Sequence, residues 1–276
     1  MPSEALSQCP VCEHTSVRVW GHRNGYALCE CARCTHRFAD IPALSEPDSA
    51  SYRRTMTNGL MATDRAYFEH LTQEEAPGRA SAVVADHVLA LCARGGVGTG
   101  RWLDVGCGSG YLLMQVIKAG FTPAGIEPGG WAQIAAAERK LPIVQGFLGP
   151  DTFTQPFDVV SATDVLEHVA SPVAFLRMLS QQISPGGRIV ITIPYAQSLE
   201  ARLKGERWNM IDPPTHRQFF TRRSLDELLA RTGLAIERRR RYHLRNMRGL
   251  GKYRLARRIL DAAIPGPQLA CLLTKS

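Results

Sequence analysis

Four cysteines stand as two C-x2-C pairs, Cys9 with Cys12 and Cys31 with Cys34, separated by 18 residues. Each such pair delivers two thiolates to adjacent corners of a tetrahedron, the pattern of a structural zinc ribbon with no open position for water. Cys29, two residues before Cys31, has the wrong spacing for a pair and is expected to be a spare. A second group joins Asp104 to Gly106, Gly108 and Gly110, with Glu127 seventeen residues further on. Side-chain-free residues let backbone approach a ligand closely. In a nucleotide fold, a carboxylate at the end of the next strand accepts hydrogen bonds from ribose hydroxyls. A third group is Asp164, Glu167 and His168, with His216 later in the chain. Imidazoles, which titrate near neutrality, suit the transfer of an acceptor's proton, and Glu167 is the weaker candidate for that task.

These groups need elements to hold them. Between the cysteine pairs, VRVWG and YALCE read as hairpin strands turned at Asn24-Gly25. So small a module cannot bury enough apolar surface to fold unaided, which is why a metal staple is expected. Residues 41–51, with two prolines and several small polar side chains, read as a linker. Tyr52, Tyr67 and Phe68 lie in the mixed segment that follows, and Ala80 to Leu91 is an apolar-periodic helix. Trp102 to Val105 is a buried strand, and Tyr111 to Lys118 a helix whose N-terminal N–H groups face whatever sits on the glycine turn. FTPAGIE, Leu141 to Gln145, Pro156 to Ala162 and Arg188 to Pro194 read as further strands, with helices over Gly130 to Lys140 and Pro172 to Ile183. Pro185-Gly186-Gly187 reads as a turn, and Tyr195 to Phe220 as a long irregular insertion of the kind that carries function. Thr221 to Thr232 is an amphipathic helix stopped by Gly233; strands begin at Leu234 and at Leu269.

The spacing G-x-G-x-G behind Asp104 differs from the dinucleotide fingerprint, whose third glycine would fall where Tyr111 stands. It resembles motif I of the class I S-adenosylmethionine-dependent methyltransferases. Thr163 to Pro172, TDVLEHVASP, resembles the segment after the fourth strand in a subfamily that includes ubiquinone-pathway and sugar methyltransferases. The resemblance covers about residues 81–275. It implies an α/β fold, a doubly wound, mostly parallel seven-stranded Rossmann-like sheet with its last strand antiparallel. It further implies S-adenosylmethionine held by Asp104, Gly106, Gly108, Gly110, Glu127 and Asp164, with Phe147 where relatives place the adenine. Three regions are expected: a ribbon over 1–40, a linker and cofactor-covering segment over 41–80, and the methyltransferase domain over 81–276.

The chain carries 33 basic and 25 acidic residues over 276 positions. The excess is local. Glu237 to Arg258, expected between the strands that begin at Leu234 and Leu269, holds nine arginines and a lysine against one glutamate, leaving the remainder at −1. Within and just beyond that stretch Leu255, Ile259 and Ala263 form an i, i+4 apolar stripe opposite Arg254, Arg257 and Arg258, suited to docking on the domain, on an acidic ligand or, peripherally, on an anionic membrane. No apolar run is long enough for a transmembrane helix, and the first ten residues lack a secretory pattern, so a cytoplasmic protein is expected. The expected activity is methyl transfer, preferably to oxygen, on a small-molecule or glycan acceptor. The rivals are an RNA methyltransferase, for which the arginines would contact phosphates, and a non-catalytic zinc adaptor.

Overall fold

The computed structural model describes residues 8–41, 49–56, 59, 61–244 and 265–276. The apolar stripe between Leu255 and Ile264 lies outside these residues. In chain order the elements are β1 (Val17–Arg23), β2 (Tyr26–Cys31), β3 (Arg37–Ala39), α1 (Ser49–Met56), α2 (Asp64–Gln73) and α3 (Ala80–Arg94). The central run is β4 (Gly100–Val105), α4 (Tyr111–Lys118), β5 (Phe121–Glu127), α5 (Trp131–Arg139), β6 (Ile143–Gln145), β7 (Phe157–Thr163), α6 (Pro172–Gln182) and β8 (Ile183–Pro194). The chain continues through α7 (Leu199–Lys204), β9 (Gln218–Phe219), α8 (Arg222–Thr232), β10 (Leu234–Tyr242) and β11 (Gln268–Lys275).

Seven strands form one sheet in the order β10-β11-β8-β7-β4-β5-β6. β4, β5, β6, β7 and β8 run parallel, while β11 is antiparallel to both β8 and β10. The expected doubly wound fold is therefore present. Its central strands are apolar on both faces because helices cover both. Alternation along each strand assigns the faces. Leu103, Val160, Ile189, Ile191 and Cys271 pack with Phe175, Leu176 and Leu179 of α6 and Leu225, Leu228 and Leu229 of α8. Their neighbours Trp102, Val159, Val190, Ala270 and Leu272 pack with Val84, Ala85, Val88 and Leu91 of α3 on the other side. Each large side chain so buried is worth about 1.5–3 kcal/mol. Chain order reverses beside β4, where β5 lies on one side and β7 on the other, so the loops after β4 and β7 part and leave a crevice.

Three local expectations change. Pro185-Gly186-Gly187 is not a free turn but an irregular part of β8, whose register against β7 shifts between Phe157 and Val159. The insertion after β8 is partly ordered, containing α7 and β9. Arg238 to Arg241 do not lie between strands; they belong to β10, paired along β11. Arg241 is further fixed by stacking 4.9 Å over Tyr195 and by donating to the Pro265 and Gly266 carbonyls. Among the described residues no helix is long and apolar enough to cross a membrane.

The N-terminal hairpin pairs as its sequence suggests, with Asn24 (φ 50°) and Gly25 (φ 83°) left-handed at the turn. Its sheet does not close on itself. β3 adds to β2, and β9, from the insertion nearly 180 residues later, adds to β3 in the order β1-β2-β3-β9. The four paired cysteines are buried in the same apolar cluster as α6 and α8. Arg231 at the end of α8 reaches Glu13 at 2.5 Å and the Cys12 carbonyl at 3.3 Å.

Candidate active site

At the carboxyl end of β4 the chain turns through Gly106 (φ 74°) into α4, whose N-cap is Gly110 (φ 78°). A Cβ on Gly106 would fall 2.5 Å from Val165 Cγ2, and one on Gly110 equally close to Leu141 Cδ1. Both positions therefore exclude side chains by dihedral and by space. We predict that Gly106→Ala costs about 1–3 kcal/mol in strain and abolishes cofactor binding, readable by thermal melting and calorimetry. An alanine variant that binds S-adenosylmethionine as the parent does would refute this role for the turn.

Glu127 ends β5 beneath that turn and is only 3% exposed. Its two carboxylate oxygens accept from the Gly108 and Gly129 N–H groups, each at 3.0 Å, so Glu127 ties the glycine turn to the start of α5. Asp104, 1% exposed, accepts from Ser161 Oγ at 2.6 Å, and Ser161 accepts from the Trp102 indole at 2.8 Å. Burial raises both carboxyls to about 7, against the opposing pull of those donors.

Two cavities of about 370 and 300 Å³ meet at this turn. Asp104, Glu127, Asp164, Tyr67, Trp131 and His216 line the first; Pro128, Phe147, Leu148, Phe175, Pro214 and Arg217 line the second. Tyr52, Met56, Gly106, Val165, His168 and Thr215 line both. Phe147 is 52% exposed and meets Tyr52 edge-on at 5.7 Å, while Tyr52 stacks on Trp131 at the same distance. Tyr52 of α1 and Tyr67 of α2 thus line the crevice. Just beyond α2, Glu75 accepts from Ser109 Oγ at 2.6 Å and takes Arg139 through both oxygens, which ties the end of α2 to the glycine turn and α5.

After β7 the chain enters Asp164 with φ 53°, held by Thr192: the Asp164 N–H donates to the Thr192 carbonyl, and the Thr192 hydroxyl donates to Asp164 Oδ1 at 2.8 Å. His168 Nδ1 lies 2.8 Å from the Thr215 carbonyl, and His216 Nδ1 lies 2.6 Å from the Met210 carbonyl. A carbonyl only accepts, so each Nδ1 carries the proton and each Nε2 keeps its lone pair. The rings stand 4.8 Å apart and nearly perpendicular. Burial, reinforced by His216, lowers His168 to about 3; burial also lowers His216. Both imidazoles are neutral bases at pH 7. Glu167 lies behind them, 1% exposed and lining neither cavity, with a buried Oε2 that has no hydrogen-bond partner among the described residues. Ligand atoms of Glu167, His168 and His216 fall within 4.8 Å of one another, a donor set that a divalent cation also accepts.

Cys9, Cys12, Cys31 and Cys34 form the other such cluster among the described residues, and Cys29 is not part of it. The Cys9–Cys34 and Cys12–Cys31 sulfur separations are 3.6 and 3.5 Å. Tetrahedral zinc with ~2.3 Å bonds needs sulfurs roughly 3.8 Å apart, so the donors fit. The two pairs match in backbone as well: Glu13 and Thr35, each following a second cysteine, are left-handed and donate to the Cys9 and Cys31 carbonyls.

The structure thus gathers Asp104, Gly106, Glu127, Asp164, His168 and His216 around one crevice, with Phe147 in the adjoining cavity. Thr215 joins them and Thr192 holds Asp164 from within the core, both unannounced by the sequence. Thr215 acts on His168 through its backbone carbonyl, for which no side-chain signal exists.

A family model described as "Methyltransferase domain" matches residues 52–238. Ubiquinone biosynthesis O-methyltransferases of Caulobacter sp. (strain K31) and Caulobacter vibrioides are 37% and 34% identical over 33% and 49% of this chain. A tRNA U34 carboxymethyltransferase of Idiomarina loihiensis is 35% identical over 45%. The matched segments span only 39%, 59% and 41% of those relatives' lengths. Among solved structures, S-adenosylmethionine-dependent methyltransferases of Thermotoga maritima and Archaeoglobus fulgidus superpose with TM-scores of 0.54 and 0.52 at 15% and 19% identity. They cover 77% and 75% of this chain and 98% and 99% of their own. With the family model spanning most of the chain and the glycine turn, Glu127 and the β4/β7 crevice in place, the chain belongs to the S-adenosylmethionine-dependent methyltransferases.

Proposed function

We propose that this methyltransferase acts on a hydroxyl of a small-molecule or glycan acceptor, with His168 as the base. The observation that carries this reading is the Nδ1-protonated, neutral His168 at the junction of the two cavities. When bound, S-adenosylmethionine supplies a methyl group already activated on a sulfonium. Three carboxylates in the first cavity suit a cationic ligand, and Glu127 retains lone pairs for ribose hydroxyls. The apolar second cavity, with Phe147 and Pro128, suits an adenine ring. The protein's task is then alignment and proton removal. His168 Nε2 takes the acceptor's proton, the Thr215 carbonyl keeps the imidazole in the required tautomer, and His216 packs against it. Cys9, Cys12, Cys31 and Cys34 hold a structural zinc that does no chemistry.

Similarity to ubiquinone biosynthesis O-methyltransferases supports a phenolic or other hydroxyl acceptor. The test is transfer of labelled methyl to quinone-precursor phenols, nucleotide sugars, lipid-linked glycans and structured RNA. Labelling of RNA alone would overturn the acceptor class. Glu167 Oε2, without a partner among the described residues, favours a second reading, a divalent cation held with His168 and His216 in place of a free base. Added magnesium or manganese would then be required for turnover while the ribbon zinc stays bound.

Because a protonated carboxyl cannot accept from both ribose hydroxyls, cofactor affinity should rise with pH and level off above about 7. Below that value the expected fall is about tenfold per pH unit for one group. Glu127→Gln should flatten the Glu127 share of this dependence, read by calorimetry from pH 5.5 to 8. Equal affinity across the range would show that Glu127 does not titrate on binding.

A further inference from the structure

The segment Asp212 to Gln218, which carries Thr215 and His216, is gripped at both ends by the N-terminal module. At one end the Asn24 side-chain amide, on the β1–β2 turn, donates to Asp212 Oδ1 at 3.0 Å and to the Pro213 carbonyl at 2.8 Å. At the other end β9 is a strand of the module's own sheet, pairing Phe38 with Gln218 and Arg37 with Phe219. The Ala39 N–H adds a bond to the Arg217 carbonyl at 2.9 Å, and Arg217 Nη2 donates to the Ile41 carbonyl at 2.6 Å. His36, buried between Phe38 and Phe220, meets Gln218 Oε1 at 2.8 Å. Gln218 Nε2 then donates to the Val169 carbonyl at 2.9 Å, and the Arg217 and Gln218 N–H groups both donate to the Glu167 carbonyl. These bonds connect the cysteine module to the Glu167-His168-Val169 loop through contiguous hydrogen-bonded groups. Between the grips, the Thr215 carbonyl decides which nitrogen of His168 bears its proton, and the His216 N–H closes on the Asp212 carbonyl.

We propose that the cysteine module is a positioning clamp for the acceptor-side histidines, with Asn24 and Gln218 as its positioning residues. The inference rests on the reading that His168 and His216 serve the acceptor. It gives the module a role in the reaction beyond holding its metal: the module fixes the orientation and tautomer of the base from outside the catalytic sheet.

Asn24 provides the test because the turn tolerates replacement. Asn24→Gly keeps a residue content with positive φ and removes only the amide. Asn24→Asp keeps size and turn preference but sets a second carboxylate against Asp212 and the Pro213 carbonyl. We expect backbone deuterium exchange over Trp208 to Arg217 to accelerate about 5–100-fold in Asn24→Gly, as the loss of two net hydrogen bonds implies. Asn24→Asp should be faster still, with zinc content unchanged in both. Long-range proton–nitrogen NMR spectra should show the His168 and His216 imidazole signals moving toward tautomer averaging, which a purely structural turn would not cause. Parent-like exchange and imidazole signals in both variants would overturn the clamp, as would an Asn24→Asp protein indistinguishable from the parent. S-adenosylmethionine calorimetry on the same samples separates the two claims. Responsive histidines without cofactor heat would sink the functional reading alone; normal cofactor binding with unresponsive histidines would sink the clamp alone.

Discussion

His168→Gln is expected to lower the methyl-transfer rate by about 10²–10⁴-fold while leaving S-adenosylmethionine affinity within a few-fold of the parent. The asymmetry follows from position. His168 donates through Nδ1 to the Thr215 carbonyl and keeps its Nε2 lone pair free, whereas Glu127 is bonded to the glycine turn, on the side proposed for the cofactor. Glutamine can still donate to Thr215 but offers no nitrogen base. Single-turnover rates with a responsive acceptor, alongside cofactor calorimetry, give the two readings. A loss confined to cofactor binding would place His168 in that role instead. A pH series gives an independent check. The folded-state value of about 3 lies below the unfolded value of about 6.5, so the unfolded chain binds the proton first as pH falls. Stability supplied by the neutral ring is complete above 6.5 and declines toward pH 3, by at most about 1.4 kcal/mol per pH unit. His168→Gln should lose that share of the acid limb.

Cys34→Ser is expected to release the zinc and open the N-terminal module, whereas Cys29→Ser keeps one zinc per chain. Structural zinc contributes on the order of 10–16 kcal/mol to small zinc-dependent folds, far more than three short strands supply by packing. The consequence should pass beyond the module, because its cysteines share an apolar cluster with α6 and α8 and its β3 carries β9. Thr35, next to Cys34, also meets Thr221, the N-cap of α8, at 2.9 Å. Elemental analysis with melting curves reads both effects. Zinc retained in Cys34→Ser but lost in Cys29→Ser would reassign the fourth ligand.

The separate groups of chemistry-bearing residues were legible along the chain wherever their signals are local. Two knuckles need only two cysteines three positions apart and a left-handed residue after each pair. The glycine turn needs close backbone approach at Gly106 and Gly110, and that demand shows directly as residue type. The sheet was legible because apolar runs of strand length alternate with helical periods, and burial on both faces of the sheet leaves few polar residues in its strands. Boundaries were less so: β8 begins at Ile183 because Ile183 already pairs with Phe157, and the register shifts across Pro185-Gly186-Gly187 before pairing resumes at Arg188.

What only tertiary structure decided is how those groups meet. β9 is two residues long, and its strand character comes from β3, whose residues lie some 180 positions earlier; no local pattern can announce it. Asn24 reads as a turn residue, yet its amide spends both its hydrogen bonds on Asp212 and Pro213. Sequence alone offered His168 and His216 as candidate bases, but their tautomers depend on the Thr215 and Met210 carbonyls, groups that every residue type carries. Residue types determined which chemistry this chain can perform, because side-chain acidity and metal affinity travel with the residue. The fold decided which of those groups share a crevice and which nitrogen stays free, because hydrogen-bond direction and burial exist only once distant backbone has been brought within 3 Å.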